Sequence, residues 1–208
     1  MIGTLKKIGI VPVVKINRAE TAVGLAKALC KGGLPAAEIT FRTDAAEEAI
    51  RLIAQEVPEV FVCAGTVLNV ENAEKAVKAG AKAIISPGTN LEVVRWCVNH
   101  SVPVIPGCAT PTEVEACMRE GLELVKLFPA EVVGGVKMLK ALAGPYASMT
   151  FMPTGGISTK NVGEYLALKN VAACGGSWIV PEKLLDEERY EEIEALAREA
   201  AALVHTNS

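Results

Sequence analysis

Histidine is scarce in this chain. Only His100 and His205 occur, the first at the end of a helix-like segment and the second in the C-terminal tail. Neither sits where a catalytic base would be expected, so proton transfer would have to rest on a carboxylate. The six cysteines (Cys30, Cys63, Cys97, Cys108, Cys117 and Cys174) form no C-x-x-C pair and mostly fall at apolar positions of periodic segments. A metal or disulfide framework needs clustered spacing, so they read as free core thiols and no metal site is expected. Long apolar runs are missing too. Stretches such as Val102 to Ile105 and Val171 to Cys174 are strand-sized, far below the ~20 residues that span a bilayer. No basic run stands out: 21 Lys and Arg face 24 Asp and Glu, for a formal net charge of -3. Nucleic acid and membrane are therefore not expected as partners. Met1 to Lys7 carries two lysines and leads straight into a strand pattern, with no apolar region or cleavage site of the secretory kind. The expected location is the cytoplasm.

The chain does hold enough apolar residues, half of its 208, to build one sizeable core, and a single domain over 1–208 is expected. A β-like run followed by a helix-like run repeats eight times, with Gly, Pro, Asn or Thr between. The β-like runs are Ile8 to Val14, Ala36 to Phe41, Val60 to Ala64, Ala83 to Ser86, Val102 to Ile105, Leu122 to Phe128, Thr150 to Pro153 and Val171 to Cys174. Such alternation implies parallel strands with crossover helices. Thr110-Pro111-Thr112-Glu113 has the form of a capping box with proline at the first helical position. Ala46, Ala49, Ile50, Ile53, Ala54 and Val57 make one helical stripe, and Ile193, Leu196, Ala197, Ala200, Ala201 and Val204 make another. Asp186 to Glu188 is placed near the start of that last helix, and Gly32-Gly33 and Gly80 read as C-terminal helix caps. Eight even βα units in about 200 residues predict an α/β fold of the (β/α)8, or TIM, barrel kind.

Barrel sites lie at the C-terminal ends of the strands. In the second run, a period of two places Glu38, Thr40 and Arg42 on one face and Ile39 and Phe41 on the other. In the sixth, Lys126 shares a face with Leu124 and Phe128. An ammonium buried among apolar residues is costly unless a carboxylate answers it, and a Schiff-base nucleophile must be the neutral amine. Glu38 can supply the answering charge and carry protons. A structural ion pair inside the barrel explains the same two residues, and spacing alone leaves both readings open. Gly155-Gly156 after the seventh run and Gly175-Gly176-Ser177 after the eighth expose backbone N–H groups where barrel phosphate sites form, with the Ser177 hydroxyl as a further donor. Either pair alone could be a tight turn. A short helix start is expected near Val180-Pro181. Thr66 offers a hydroxyl after the third run, Pro87 a rigid wall after the fourth, and Arg42 a fork suited to a substrate carboxylate, or else a partner for Glu38 or a surface carboxylate.

Several strings together resemble the KDPG/KHG aldolase family over essentially the whole chain. They are Glu38-Ile39-Thr40-Phe41-Arg42-Thr43, Ala64-Gly65-Thr66-Val67, Ile85-Ser86-Pro87-Gly88, Val125-Lys126-Leu127-Phe128-Pro129-Ala130-Glu131, Pro153-Thr154-Gly155-Gly156-Ile157 and Gly175-Gly176-Ser177-Trp178. The resemblance implies a class I aldolase that cleaves 2-dehydro-3-deoxy-6-phosphogluconate (KDPG) to pyruvate and glyceraldehyde 3-phosphate, as in the Entner–Doudoroff route, without metal or organic cofactor. It extends to 4-hydroxy-2-oxoglutarate (KHG), split to pyruvate and glyoxylate. By the same resemblance Lys126 is the imine lysine and Glu38 the general acid/base. Arg42 and Thr66 hold the pyruvate carboxylate, Pro87 and Phe128 enclose the pyruvyl group, and Gly155, Gly156 and Ser177 bind phosphate. Thr154 stands at the position linked to C4 stereochemistry and points to the gluconate rather than the galactonate substrate. A homotrimer is also implied. Two positions depart from other members: Val14-Lys15-Ile16, where some carry arginine, and Leu127, where others carry an aromatic. An imine-free phosphosugar isomerase or epimerase and a non-catalytic phosphometabolite-binding barrel remain the competing readings.

Overall fold

A computed structural model describes residues 1–205, the last of these for its backbone only. Five parallel strands follow one another in sequence and in space: β1 (Ile10–Val14), β2 (Ala36–Thr40), β3 (Phe61–Gly65), β4 (Ile84–Ile85) and β5 (Val104–Ile105). The last strand, β9 (Cys174–Gly176), adds to the open side of β1, giving the order β5-β4-β3-β2-β1-β9. A second parallel sheet holds β6 (Gly107–Cys108), β7 (Leu124–Leu127) and β8 (Thr150–Phe151). The two sheets meet through Pro106, whose carbonyl accepts from the Lys126 N–H, and through parallel bridges Phe151 to Val171 and Thr154 to Gly175. The result is an α/β architecture with a curled parallel sheet and helices outside it.

Side-chain parity decides which residues meet on the concave face. Val11, Ala36, Cys63, Ala83, Ile85, Ile105, Leu124, Met152 and Ala172 form one compact apolar cluster. Their strand neighbours of opposite parity, among them Ile39, Val62, Ile84, Val125 and Phe151, belong to a larger cluster shared with the helices. Most of the expected helical stripes lie in that outer layer. Ala46, Ala49, Ile50, Ile53 and Val57 are buried around α3 (Ala46–Glu56), as are Ile193, Ala197, Ala200 and Ala201 on α10 (Tyr190–His205).

Some expectations need correction. The segment before β1 is a helix, α1 (Ile2–Ile8), so Ile8 ends a helix instead of starting a strand. Leu5 and Ile8, three apart, rest on the concave cluster, and seven residues are too few to reveal that period in the sequence. Gly9, left-handed at φ 72°, turns the chain into β1. The fifth run forms a strand only from Val104 to Ile105, and a further strand, β6, resumes past Pro106, which lacks an N–H for the ladder. The eighth strand begins later than expected, because Val171 makes only a bridge and the ladder with β1 runs from Cys174 to Gly176. Asp186 closes a separate short helix, α9 (Glu182–Asp186), which follows Pro181 as the Val180-Pro181 turn suggested. His100 ends α5 (Leu91–Asn99), exposed and stacked on Trp96; the side chain of His205 lies outside the described residues. Cys108 and Cys117 are free thiols with sulfurs 3.7 Å apart. Among the described residues no helix is long and apolar enough to cross a membrane.

The capping box is present at the start of α6 (Pro111–Arg119). Burial works against the Glu113 charge, but the N–H groups of Ala109 and Thr110 and the Thr110 hydroxyl outweigh it and hold the carboxyl below its ordinary range. Glu113→Gln is therefore expected to cost about 1 kcal/mol at neutral pH. Because the folded-state value is depressed, this contribution is present above the ordinary carboxylate range and lost as pH falls through the lowered one. Urea unfolding at neutral and acid pH tests this; a deficit unchanged in acid would contradict it.

Candidate active site

Glu38 and Lys126 have the parity of the concave cluster but lie one step nearer the C-terminal strand ends. Ala36 precedes Glu38 by two residues, and Leu124 precedes Lys126 by two, both in the apolar layer below. The two charged side chains meet across the interior: Lys126 Nζ donates to Glu38 Oε1 at 3.0 Å, with the residues 5% and 1% exposed. Such a pair is tolerable only because each charge answers the other. The Phe128 ring lies beside the amine, its centroid 5.2 Å from Nζ. Glu38 Oε2 is buried and has no hydrogen-bond partner among the described residues.

Three strand glycines clear the space. A Cβ on Gly65 would come within 2.4 Å of Glu38 Oε1, so only glycine leaves room for the carboxylate there. Gly107, in register with Lys126, lets the Pro87 carbonyl approach so closely that a Cβ would lie 2.1 Å from it. Gly175 does the same for Thr154, whose hydroxyl would be 2.2 Å from a Cβ. None of the three clearances was anticipated from the sequence, where a glycine inside a strand marks a close approach but not what approaches. Cys63, opposite Glu38 in register, does not compete as a nucleophile. Burial pushes its thiol well above the ordinary range, and the Glu38 charge acts in the same direction.

The other expected residues occupy the rim. β2 stops at Thr40, so Arg42 stands in the following turn, exposed, with Nε donating to Thr40 Oγ1 at 3.2 Å. It is not paired with Glu38, which removes that half of the alternative; its charge acts on a surface carboxylate, Glu182. Arg42 also lines a groove of about 340 Å³ with Phe41, Asp44 and Glu47, outside the Lys126 site. Thr40 Oγ1 in turn donates to the Val14 carbonyl at 2.9 Å, tying the ends of β1 and β2 together. Thr66 holds a left-handed backbone, φ 56°, a conformation that costs a β-branched residue about 1–3 kcal/mol. Pro87 and Phe128 are half-buried, and a cis peptide bond joins Phe128 to Pro129. Thr154 is buried, its Oγ1 without a partner among the described residues.

Gly155 and Gly156 are both left-handed, at φ 101° and 79°. Their turn lies against Pro129 and Glu131, the close neighbours of a Cβ at either glycine. Ser177 is exposed just past β9. The chain then enters α9, where Glu182 bonds Lys15 at 2.6 Å and Asn17 at 2.8 Å. Those bonds, with the nearby Arg42 charge, hold the Glu182 carboxyl below its ordinary range. Gly175 and Gly176, expected in a turn after the eighth run, are instead buried in β9 and paired with Val11 and Pro12, because the strand starts later than the sequence suggests. One edge thus carries a buried amine with a carboxylate, hydroxyls, a guanidinium and one glycine turn, Gly155-Gly156. Such a set can attack a carbonyl, move a proton and hold an anion.

The sequence model described as "Aldolase: KDPG and KHG aldolase" matches residues 1–196. The chain is 50% identical over 193 residues to the 2-dehydro-3-deoxy-phosphogluconate aldolase of Dickeya dadantii, covering 93% of this chain and 91% of that one. It is 48% identical over 191 residues to the KHG/KDPG aldolase of Escherichia coli, covering 92% and 90%. Among solved structures it is similar to the KDPG aldolase of Legionella pneumophila, a crystal structure with pyruvate captured at low pH as a covalent carbinolamine intermediate. That match has a TM-score of 0.91 and 38% identity, over 95% of this chain and 97% of that chain.

Gly65→Ala is expected to destabilise the fold by about 1–3 kcal/mol, because an added methyl forces the carboxylate or its strand aside. Denaturant unfolding measures this. An unchanged midpoint would show that Glu38 does not fill the space beside Gly65.

Proposed function

The chain belongs to the KDPG and KHG aldolase family and is a carbon–carbon lyase, and on that premise we propose that it cleaves KDPG to pyruvate and glyceraldehyde 3-phosphate through an imine on Lys126. The observation that carries the reading is the buried amine 3.0 Å from a buried carboxylate, with an aromatic ring beside it.

In the proposed reaction Lys126 passes one ammonium proton to Glu38 and the freed amine adds to the C2 ketone; the same proton returns from Glu38 to the carbinolamine hydroxyl, which leaves as water and gives the protonated imine. Glu38 takes the proton of the C4 hydroxyl. As the C3–C4 bond breaks, its electron pair moves into the C2–C3 enamine, and C4 departs as the aldehyde of glyceraldehyde 3-phosphate. The proton on Glu38 returns to C3, and water releases pyruvate and the free amine. The unpartnered Oε2 leaves one carboxylate oxygen for substrate while Oε1 faces the amine.

Arg42 and Thr66 hold the substrate carboxylate in this scheme, and Pro87 and Phe128 enclose the pyruvyl carbons. Gly155, Gly156 and Ser177 receive the phosphate. The buried Thr154 hydroxyl faces the C4 end and favours the gluconate over the galactonate epimer. KHG, the smaller substrate named in the Escherichia coli relative, fits the same pyruvyl chemistry. The curled sheets are read as one closed (β/α)8 barrel domain over 1–208, working in the cytoplasm as a homotrimer. The trimer rests on the family resemblance alone. No cofactor is called for, since amine and carboxylate supply the whole proton and electron inventory.

Borohydride added with pyruvate is expected to leave a reduced pyruvyl adduct on Lys126, located by peptide mass. An unmodified mass would favour imine-free isomerase chemistry. Separately, Glu38→Gln is expected to slow pyruvate release from KDPG by about 10²–10⁴-fold; equal turnover would remove Glu38 from the mechanism.

A further inference from the structure

The Gly155-Gly156 turn presents three consecutive peptide planes, and each has its carbonyl tied on one side. Thr154 O accepts from the Ala130 N–H at 2.8 Å, and Gly155 O accepts from the Glu131 N–H at 3.1 Å. The third carbonyl, on Gly156, has a different kind of partner: it accepts from the Asn161 side-chain Nδ2 at 3.2 Å. The same amide reaches the far end of the turn, where its Oδ1 accepts from the Ser158 N–H at 2.9 Å. A trans peptide is rigid and its N–H points opposite to its C=O. Tying the carbonyls of Thr154, Gly155 and Gly156 therefore directs the N–H groups of Gly155, Gly156 and Ile157 the other way. Two left-handed glycines in succession would otherwise leave these planes free to rotate. Main chain fixes the first two planes and one side chain fixes the third.

We propose that Asn161 is a positioning residue for phosphate, acting through the Gly156–Ile157 peptide, a role that rests on the phosphate reading of this turn given above. It does not touch the substrate. It orients the last of three N–H donors and bridges both ends of the turn that carries them. Glu131 supports the same turn from beneath, its side chain packed where a Gly156 Cβ would be and its carboxylate bonded to the Tyr165 hydroxyl.

The test compares wild type with Asn161→Ala, which removes both amide bonds, and Asn161→Ser, which keeps an acceptor for the turn but no amide donor for Gly156 O. Three quantities are measured: KM and kcat for KDPG, inhibition by inorganic phosphate, and the pyruvate concentration giving half-maximal borohydride inactivation. Loss of one oriented donor to a dianion is expected to raise both the KM and the half-inhibiting phosphate concentration by about tenfold. The pyruvate response, which involves no phosphate, stays at its wild-type value, and so does kcat, because the phosphate contact is lost equally from bound substrate and transition state. A KM that rises with kcat unchanged is the signature of lost uniform binding. The proposal is overturned if both variants keep wild-type phosphate inhibition, or if the pyruvate response weakens in step with it, since that would mean general loosening. Should inorganic phosphate fail to compete with KDPG in the wild type, the phosphate reading of the turn falls, and this role falls with it.

Discussion

An ammonium and a carboxylate held 3.0 Å apart, both almost wholly out of water, set the terms for everything around them. Neither charge could remain in that place alone, because removing a partner from a buried pair leaves the other uncompensated at a cost of about 3–5 kcal/mol. The surroundings follow from the pair. The layer beneath is apolar and small, Ala36, Cys63, Leu124 and Ala172, so the strands approach closely enough for Glu38 and Lys126 to meet across the interior. The position next to the carboxylate has to be glycine. The aromatic beside the amine offers a polarisable face without competing for its proton.

Around this charged centre the structure divides its labour by chemistry. In the proposed reaction covalent attack and proton transfer fall to side chains on β2 and β7, elements whose hydrogen-bonded ladders hold them rigid. In the same proposal anion recognition falls to backbone amides of the Gly155-Gly156 turn, which present dipoles without a titrating group. The strained Thr66 backbone stands beside Gly65, next to the centre, where the surrounding fold can hold a conformation its own side chain disfavours.

Most of the centre was legible from period-two patterning. Glu38 and Lys126 each stand two residues beyond a small or apolar residue of the same parity, and the Gly155-Gly156 turn falls after the seventh run, whereas Gly175-Gly176, read as a second turn, lies within β9. The pairing of the two charges follows from the cost of burying either alone, and the two side chains do meet. Other features were hidden for physical reasons. Arg42 extends a strand pattern by one step, but the strand ends at Thr40, and periodicity carries no information past a turn. α1 is a helix of seven residues whose two anchors, Leu5 and Ile8, are one turn apart, and its N-cap side chain makes no capping bond. The clearances at Gly65, Gly107 and Gly175, like the Asn161 bridge, depend on contacts between segments far apart in sequence or on the path of a loop.

The placement of α1 governs how molecules come and go. Leu5, with no exposed surface, and Ile8 lie over the apolar floor beneath Lys126 and Glu38, so the interior is a cup with a floor instead of a tube. Substrate and both fragments then share one doorway in the proposed reaction. In the proposed reaction the pyruvyl half is anchored at the bottom and the phosphorylated half occupies the neck. Departure is then sequential by geometry: the aldehyde clears the neck before water can reach and free what remains below.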